Sequence, residues 1–170
     1  MSPHGANLLG AFGLVLADLL EDAAELVGGA TPAAALVALN DRTAGGTIDA
    51  LAGVVGLSHS GTVRLVDRLA RDGLVERRRG ADQRSAALVL TATGRRAARR
   101  VLARREAGMQ SLGALLTGDQ QVQLAAIAED ALGRLDDERR VCRLCDLAAC
   151  ERRRGRCPMA PRGRRPTTEP

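Results

Sequence analysis

The sequence predicts a mainly α-helical fold interrupted by one β-hairpin. Three observations carry this prediction. Apolar residues recur at three- and four-residue steps along most of the chain. Short extended stretches occur once, as a pair. Glycines and N-capping residues punctuate each helical run. The 170 residues suffice to bury a core, as one domain with appendages.

The elements follow in order. Leu8, Leu9, Phe12, Leu16, Leu19, Leu20, Ala23 and Val27 predict a first helix, which Gly28-Gly29 ends. Thr31 as N-cap and Pro32 at the first helical position predict a second, running to Asn40. After a loop over Asp41–Gly46, Thr47 caps a third helix with Ile48, Leu51, Ala52 and Val55 inward, closed by Gly56. Ser58 caps a fourth, whose apolar stripe is Val63, Val66, Leu69 and Ala70 and whose end is Asp72-Gly73. Leu74–Arg77 and Ala86–Leu90 are predicted strands, separated by a charged turn over residues 78–84. Thr91 or Thr93 begins a long Arg-dense helix through Leu115-Leu116, and Asp119 opens a last one toward Arg140. The final residues, 159–170, are rich in Pro and Arg and are expected to be a disordered basic tail.

The longest apolar run, near Leu8–Leu20, is broken by Gly10, Gly13 and Asp18, short of the roughly 18 residues a spanning helix needs. The N-terminus lacks the basic region of a signal peptide. A cytoplasmic protein without membrane association is expected. The net charge of +5 conceals a sharp asymmetry, and all 25 basic residues are Arg. Residues 1–60 carry one Arg and six acids, whereas residues 61–105 carry thirteen Arg against four acids, a local net of +9. Residues 106–140 return to −4, and residues 141–170 rise to +5. A basic block between acidic flanks suits a polyanion-binding face, although a solvated surface has the same charge.

A short helix, a glycine-bearing turn, a second helix and a basic hairpin together make a winged helix-turn-helix. The second helix would present its N-terminal end, Ser58, His59, Ser60 and Thr62, to base edges, where small polar side chains fit the major groove; for His59 an exposed histidine without a task is the competing assignment. Its N–H groups and dipole favour a phosphate at the same end. Arg64 and Arg68 lie one turn apart and reach phosphates or a guanine edge. Arg78, Arg79 and Arg84 would lie at the hairpin tip, across or within the adjacent minor groove. For Arg68, Arg71 and Arg77, ordinary surface pairing with Asp67, Asp72 or Glu76 is the competing assignment.

The stretch Leu51-Ala52, Gly56-Leu57-Ser58, Thr62–Leu69, Asp72–Arg77, Asp82-Gln83-Arg84-Ser85, Leu88–Thr91 and Gly94 resembles the MarR family of transcriptional regulators. Its more specific marks are Asp82 and Arg84 in the wing and the L-T-x-x-G that follows. The match covers roughly residues 47–96 and extends less specifically to about 8–140. The resemblance implies a homodimer in which the first and last helices interlock, and two reading helices on a pseudo-palindromic operator in double-stranded DNA. It also implies that Arg84 is the minor-groove contact, with Asp82 as its orienting carboxylate. The expected organisation is N-terminal dimerisation helices (1–40), a winged helix-turn-helix (41–92), C-terminal dimerisation helices (93–140), a four-cysteine appendage (141–158) and the tail (159–170). A repressor is expected; a module that coats DNA without sequence preference, or docks on another protein, is the alternative of a different class.

All four cysteines fall in one stretch, Cys142, Cys145, Cys150 and Cys157, spaced C-x2-C-x4-C-x6-C. In a reducing compartment such clustering points to metal rather than to disulfides. Four thiolates around one Zn²⁺ make a closed structural site. An iron–sulfur cluster is the alternative, with Cys157-Pro158 similar to the end of ferredoxin-type runs. Metal-free redox thiols are the third reading. The MarR pattern has no such cluster, so a redox effector competes with the usual small-molecule one, and Phe12 is the only aromatic available to stack an effector.

A non-enzyme is expected. Adjacent Ser58 and His59 do not face each other as nucleophile and base. No Gly-rich phosphate loop follows a strand, and Cys142–Cys145 lacks the βαβ setting of a redox C-x-x-C.

Overall fold

The computed structural model describes residues 1–41, 46–79, 86–135, 141–146, 149–150 and 157–159. Along them run α1 (Pro3–Glu25), α2 (Ala30–Asp41), α3 (Ile48–Val55), α4 (His59–Arg71), β1 (Val75–Arg79), β2 (Ala86–Leu90), α5 (Ala92–Gly113) and α6 (Gly118–Leu132). The strands pair antiparallel, with Val75 opposite Leu90 and Arg79 opposite Ala86. The predicted mainly α fold with a two-stranded wing is the one observed.

Local chemistry explains most boundaries. Ser2 caps α1, accepting from the Gly5 N–H at 3.1 Å. Gly28 and Gly29, at φ 84° and 109°, turn the chain in a region closed to most side chains. α2 then starts at Ala30, ahead of the expected Thr31 cap. The Gly29 carbonyl already accepts the Ala33 N–H at 3.1 Å, so glycine holds the capping position. α5 unwinds after Gly113, short of Leu116, through tighter turns from Leu112 to Leu115 and from Gly113 to Leu116. α6 opens at Thr117, not Asp119, because Thr117 and Gln120 form a reciprocal capping box. It ends at Leu132, well before Arg140.

Two cores share one helix. Leu36 and Leu39 of α2 join Leu51, Leu65, Val66, Leu69, Val75, Leu88 and Leu90 beneath the reading unit. Ala33 and Val37 of the same helix join Ala24 of α1 and Val101 of α5 in a second cluster. All seven residues from Ala33 to Leu39 are buried, so α2 is apolar on every side. The wing is anchored to α5 by Thr91, whose hydroxyl donates to the Gly73 carbonyl at 2.7 Å. The same oxygen accepts the Gly94 N–H at 2.9 Å. Gly94 lies so close to β1's lead-in that a Cβ there would stand 2.0 Å from the Leu74 carbonyl oxygen.

α1 is long and apolar enough, by length and composition, to cross a membrane, contrary to the expectation that Gly10, Gly13 and Asp18 break the run. Glycine lowers helix propensity without ending a helix that is otherwise apolar. In this fold α1 packs along α5 and α2. Much of its apolar surface stays open: Leu8, Leu9, Leu14 and Val15 are exposed. α6 buries none of its residues within the chain, and Val122 and Ile127 are 70% and 67% exposed.

Candidate nucleic-acid interface

Thr47 caps α3, and Gly56 (φ 69°) turns the chain out of it toward α4. Ser58 then caps α4, its hydroxyl accepting the Gly61 N–H at 3.2 Å and lying 3.2 Å from the Ser60 hydroxyl. His59, Ser60 and Arg64 are exposed at this end of the helix. His59 Nδ1 lies 2.6 Å from an Asp49 carboxylate oxygen on α3, which fixes the ring beside the helix start.

Thr62 does not join them. It is completely buried, and its hydroxyl donates to the Ser58 carbonyl at 2.9 Å. This corrects the expectation that Thr62 faces the groove. The buried stripe of α4 is Thr62, Leu65, Val66 and Leu69, so the inward face is turned by about one position from the predicted stripe, and Val63 is only half-buried.

The wing is corrected in one respect. Arg78 and Arg79 belong to β1, opposite Ala87 and Ala86, rather than to the turn. Arg78 pairs with Glu76 on its own strand at 3.1 Å, and Arg77 with Asp67 of α4 at 2.7 Å. Both pairs are open to solvent and add little stability. Asp82 and Arg84 lie outside the described residues. Sequence reasoning missed a third partner of the wing: the Leu88 N–H donates to the Gly46 carbonyl at 2.9 Å, a single bridge with no periodicity to betray it.

Arg68 sits at the other end of α4. It lines an open cleft of about 660 Å³ between the reading unit and the long helices, together with Arg96 and Arg100 of α5, Asp72, Leu26 and Leu74. Arg96 and Arg100 were not singled out from sequence; their i, i+4 spacing on a helix was the available signal. Further along α5, Arg104 donates to Asp22 of α1 at 2.6 Å. The hydrogen bond, with the guanidinium charge, holds the Asp22 carboxyl below its ordinary 3.8. A lowered folded value contributes stability that is present above pH 3.8 and lost as pH falls through the folded value. Because the pair is fully exposed, the effect is small. An NMR titration of the Asp22 carboxyl is expected to have its midpoint below 3.8, and Arg104→Gln to bring it back up.

The four cysteines assemble at the end of α6. Cys142 and Cys157 are buried with Met159, and Cys145, Cys150 and Leu132 pack around them. None is in a disulfide. The Cys150 thiol is pushed up to about 12, first by burial and then by hydrogen bonds to Cys157 and Cys145 and by their charge. Among the described residues, no group of three or more His, Cys, Asp or Glu side chains is placed so that it could hold a metal ion, so the four cysteines as they stand do not form the expected site. By donor type alone thiols suit a soft cation, and two of the four, Cys142 and Cys157, are buried while Cys145 and Cys150 are half-buried.

Helix–turn–helix, basic strand and open helical layer define a winged-helix fold. No protein-family model matches the sequence, and no curated protein does so either. Solved structures do. The Mycobacterium tuberculosis MarR family protein Rv2887 is 25% identical with a TM-score of 0.59, the match covering 76% of this chain and 94% of that one. Rv2887 has also been solved with DNA, with salicylic acid and with p-aminosalicylic acid. YusO of Bacillus subtilis (21% identity, TM-score 0.67) covers 79% of this chain and all of its own. MepR of Staphylococcus aureus, a transcription regulator of a multidrug efflux pump, has 18% identity and a TM-score of 0.61, over 72% and 93%. The chain shares the winged-helix fold of these structures, the MarR family protein Rv2887 among them.

Proposed function

We propose that this chain is a homodimeric transcription regulator, a repressor rather than an enzyme, that reads a pseudo-palindromic operator in double-stranded DNA from the cytoplasm. The observation that carries it is the exposed start of α4, where His59, Ser60 and Arg64 stand clear of the core beside the basic wing. An α-helix presented in this way enters a major groove, and the wing arginines follow the backbone into the minor groove. The share of the fold held in common with Rv2887, which binds DNA, supports the reading.

The open apolar faces of α1 and α6 are the surface on which a second copy packs, which accounts for α1 without a membrane. The arginine-lined cleft is the place for a small anionic effector, as the salicylate complexes of Rv2887 suggest. Donor type and spacing, rather than the placement of the thiols, support a metal at Cys142, Cys145, Cys150 and Cys157, Zn²⁺ first and an iron–sulfur cluster as the alternative. Zn²⁺ there would supply a structural cross-link, with the four thiols giving up their protons to solvent on binding.

A competition gel shift tests the DNA reading. The protein is expected to hold its own promoter fragment against excess random DNA, and Arg84→Ala to weaken it by about tenfold or more. Loss of both probes together as salt rises marks a non-specific coat instead. Binding of neither marks a protein-docking module.

A further inference from the structure

His59 is the first residue of α4, and its ring has one partner among the described residues, Asp49 in the first turn of α3. The contact runs from Nδ1 to a carboxylate oxygen at 2.6 Å. Both side chains are open to solvent, His59 by 64% and Asp49 by 79%, so the pair adds little stability. Its effect is on orientation. Beneath it α3 and α4 are held together by Leu51, Leu65, Val66 and Leu69, all in one buried cluster, so both ends of the contact stand on a packed frame. An ionised carboxylate only accepts hydrogen bonds, so the ring nitrogen that faces it carries the proton. The partner of one imidazole nitrogen decides the tautomer, and in a neutral ring the other nitrogen is then a bare acceptor. That atom is Nε2, which no described residue engages.

We propose that Asp49 and His59 form a base-reading pair: Asp49 fixes the tautomer of His59, and Nε2 accepts a hydrogen bond from the exocyclic amino group of an adenine or cytosine in the major groove. The proposal rests on the DNA reading above. Adenine and cytosine present an amino donor on the major-groove edge, whereas guanine and thymine offer an oxygen at the corresponding place. An acceptor aimed there favours A or C on the strand it meets and turns away G or T, whose oxygens would face a lone pair. Arg64, which carries donors only, suits a guanine edge or a phosphate, so the two side chains ask for different bases. The Ser60 hydroxyl donates and accepts, and discriminates less. Asp49 meets no base itself and is a positioning residue.

The test has two readouts on the full chain, both in alkaline buffer so that the ring is neutral. In the free protein, long-range nitrogen NMR is expected to find the His59 proton on Nδ1. Asp49→Asn, whose amide donates as well as accepts, is expected to shift the ring toward the other tautomer with helix content unchanged. In the second readout the wild type and its variants select sites from a random-sequence duplex library. The wild type is expected to prefer A or C over G or T at one position of each half-site by about fivefold, the worth of one hydrogen bond. His59→Ala is expected to flatten that position and leave the rest of the motif intact, and Asp49→Asn to admit G and T there. A wild-type proton on Nε2 overturns the pair while leaving the DNA reading standing. So does a preference for G or T at the position His59 controls, or a motif that either variant leaves unaltered. A wild-type chain that enriches no sequence overturns the DNA reading and the pair together.

Discussion

Gly94→Ala is expected to lower stability by about 3 kcal/mol, at the upper end for overpacking, although helix propensity alone argues the other way. Alanine is better than glycine in a helix by roughly 1 kcal/mol, and Gly94 sits in the first turn of α5. The added methyl, however, would stand 2.0 Å from the Leu74 carbonyl oxygen and 2.9 Å from its carbon. That neighbour is backbone, and it cannot rotate aside. It is also committed, since the Leu74 carbonyl accepts the Thr91 N–H at 3.0 Å. Relief requires α5 to move off the start of the wing, taking the Thr91 cap with it. Urea denaturation of the wild type and of Gly94→Ala measures the effect. Gly113→Ala, at the end of the same helix with nothing near its Cβ position, is the control and is expected to be neutral. Equal midpoints for the wild type and Gly94→Ala would show that the approach is not as close as described.

Ile127→Asp is expected to convert the dimer to monomers and abolish specific DNA binding, without unfolding the chain. Ile127 is 67% exposed on α6, with Val122 and Leu124 on the same element. Within one chain the aspartate meets only water. In a two-fold dimer it appears twice, and each unpaired carboxylate buried at the interface costs on the order of 3 kcal/mol. A monomer holds one reading helix and loses the second half-site. Sedimentation gives the mass, circular dichroism the helix content, and a gel shift the affinity. A variant that remains dimeric places the interface elsewhere.

The wing, the Ser58 cap and the two αL glycines, Gly56 and Gly73, were legible because each has a local chemical signature. Thr62 was not. A small polar residue near a helix start reads as surface until the phase of the stripe is known, and Leu65 against Val63 decides that phase only in three dimensions. Arg68 illustrates the same limit, since the cleft it shares with Arg96 and Arg100 is assembled from helices distant in sequence. The cysteines were legible as a group, while the packing of Leu144 was not. A single leucine between two cysteines has no periodicity, and its partners lie on α1, α2 and α5.

α2 has a consequence for how the molecule comes apart. Its seven consecutive buried residues, four of them alanine, face the reading core on one side and the long-helix layer on the other. Opening either layer strips one flank of a helix too apolar to stand in water. The two layers are therefore expected to share a single unfolding transition, and hydrogen exchange to find the slowest amides of the described residues in the helix between them.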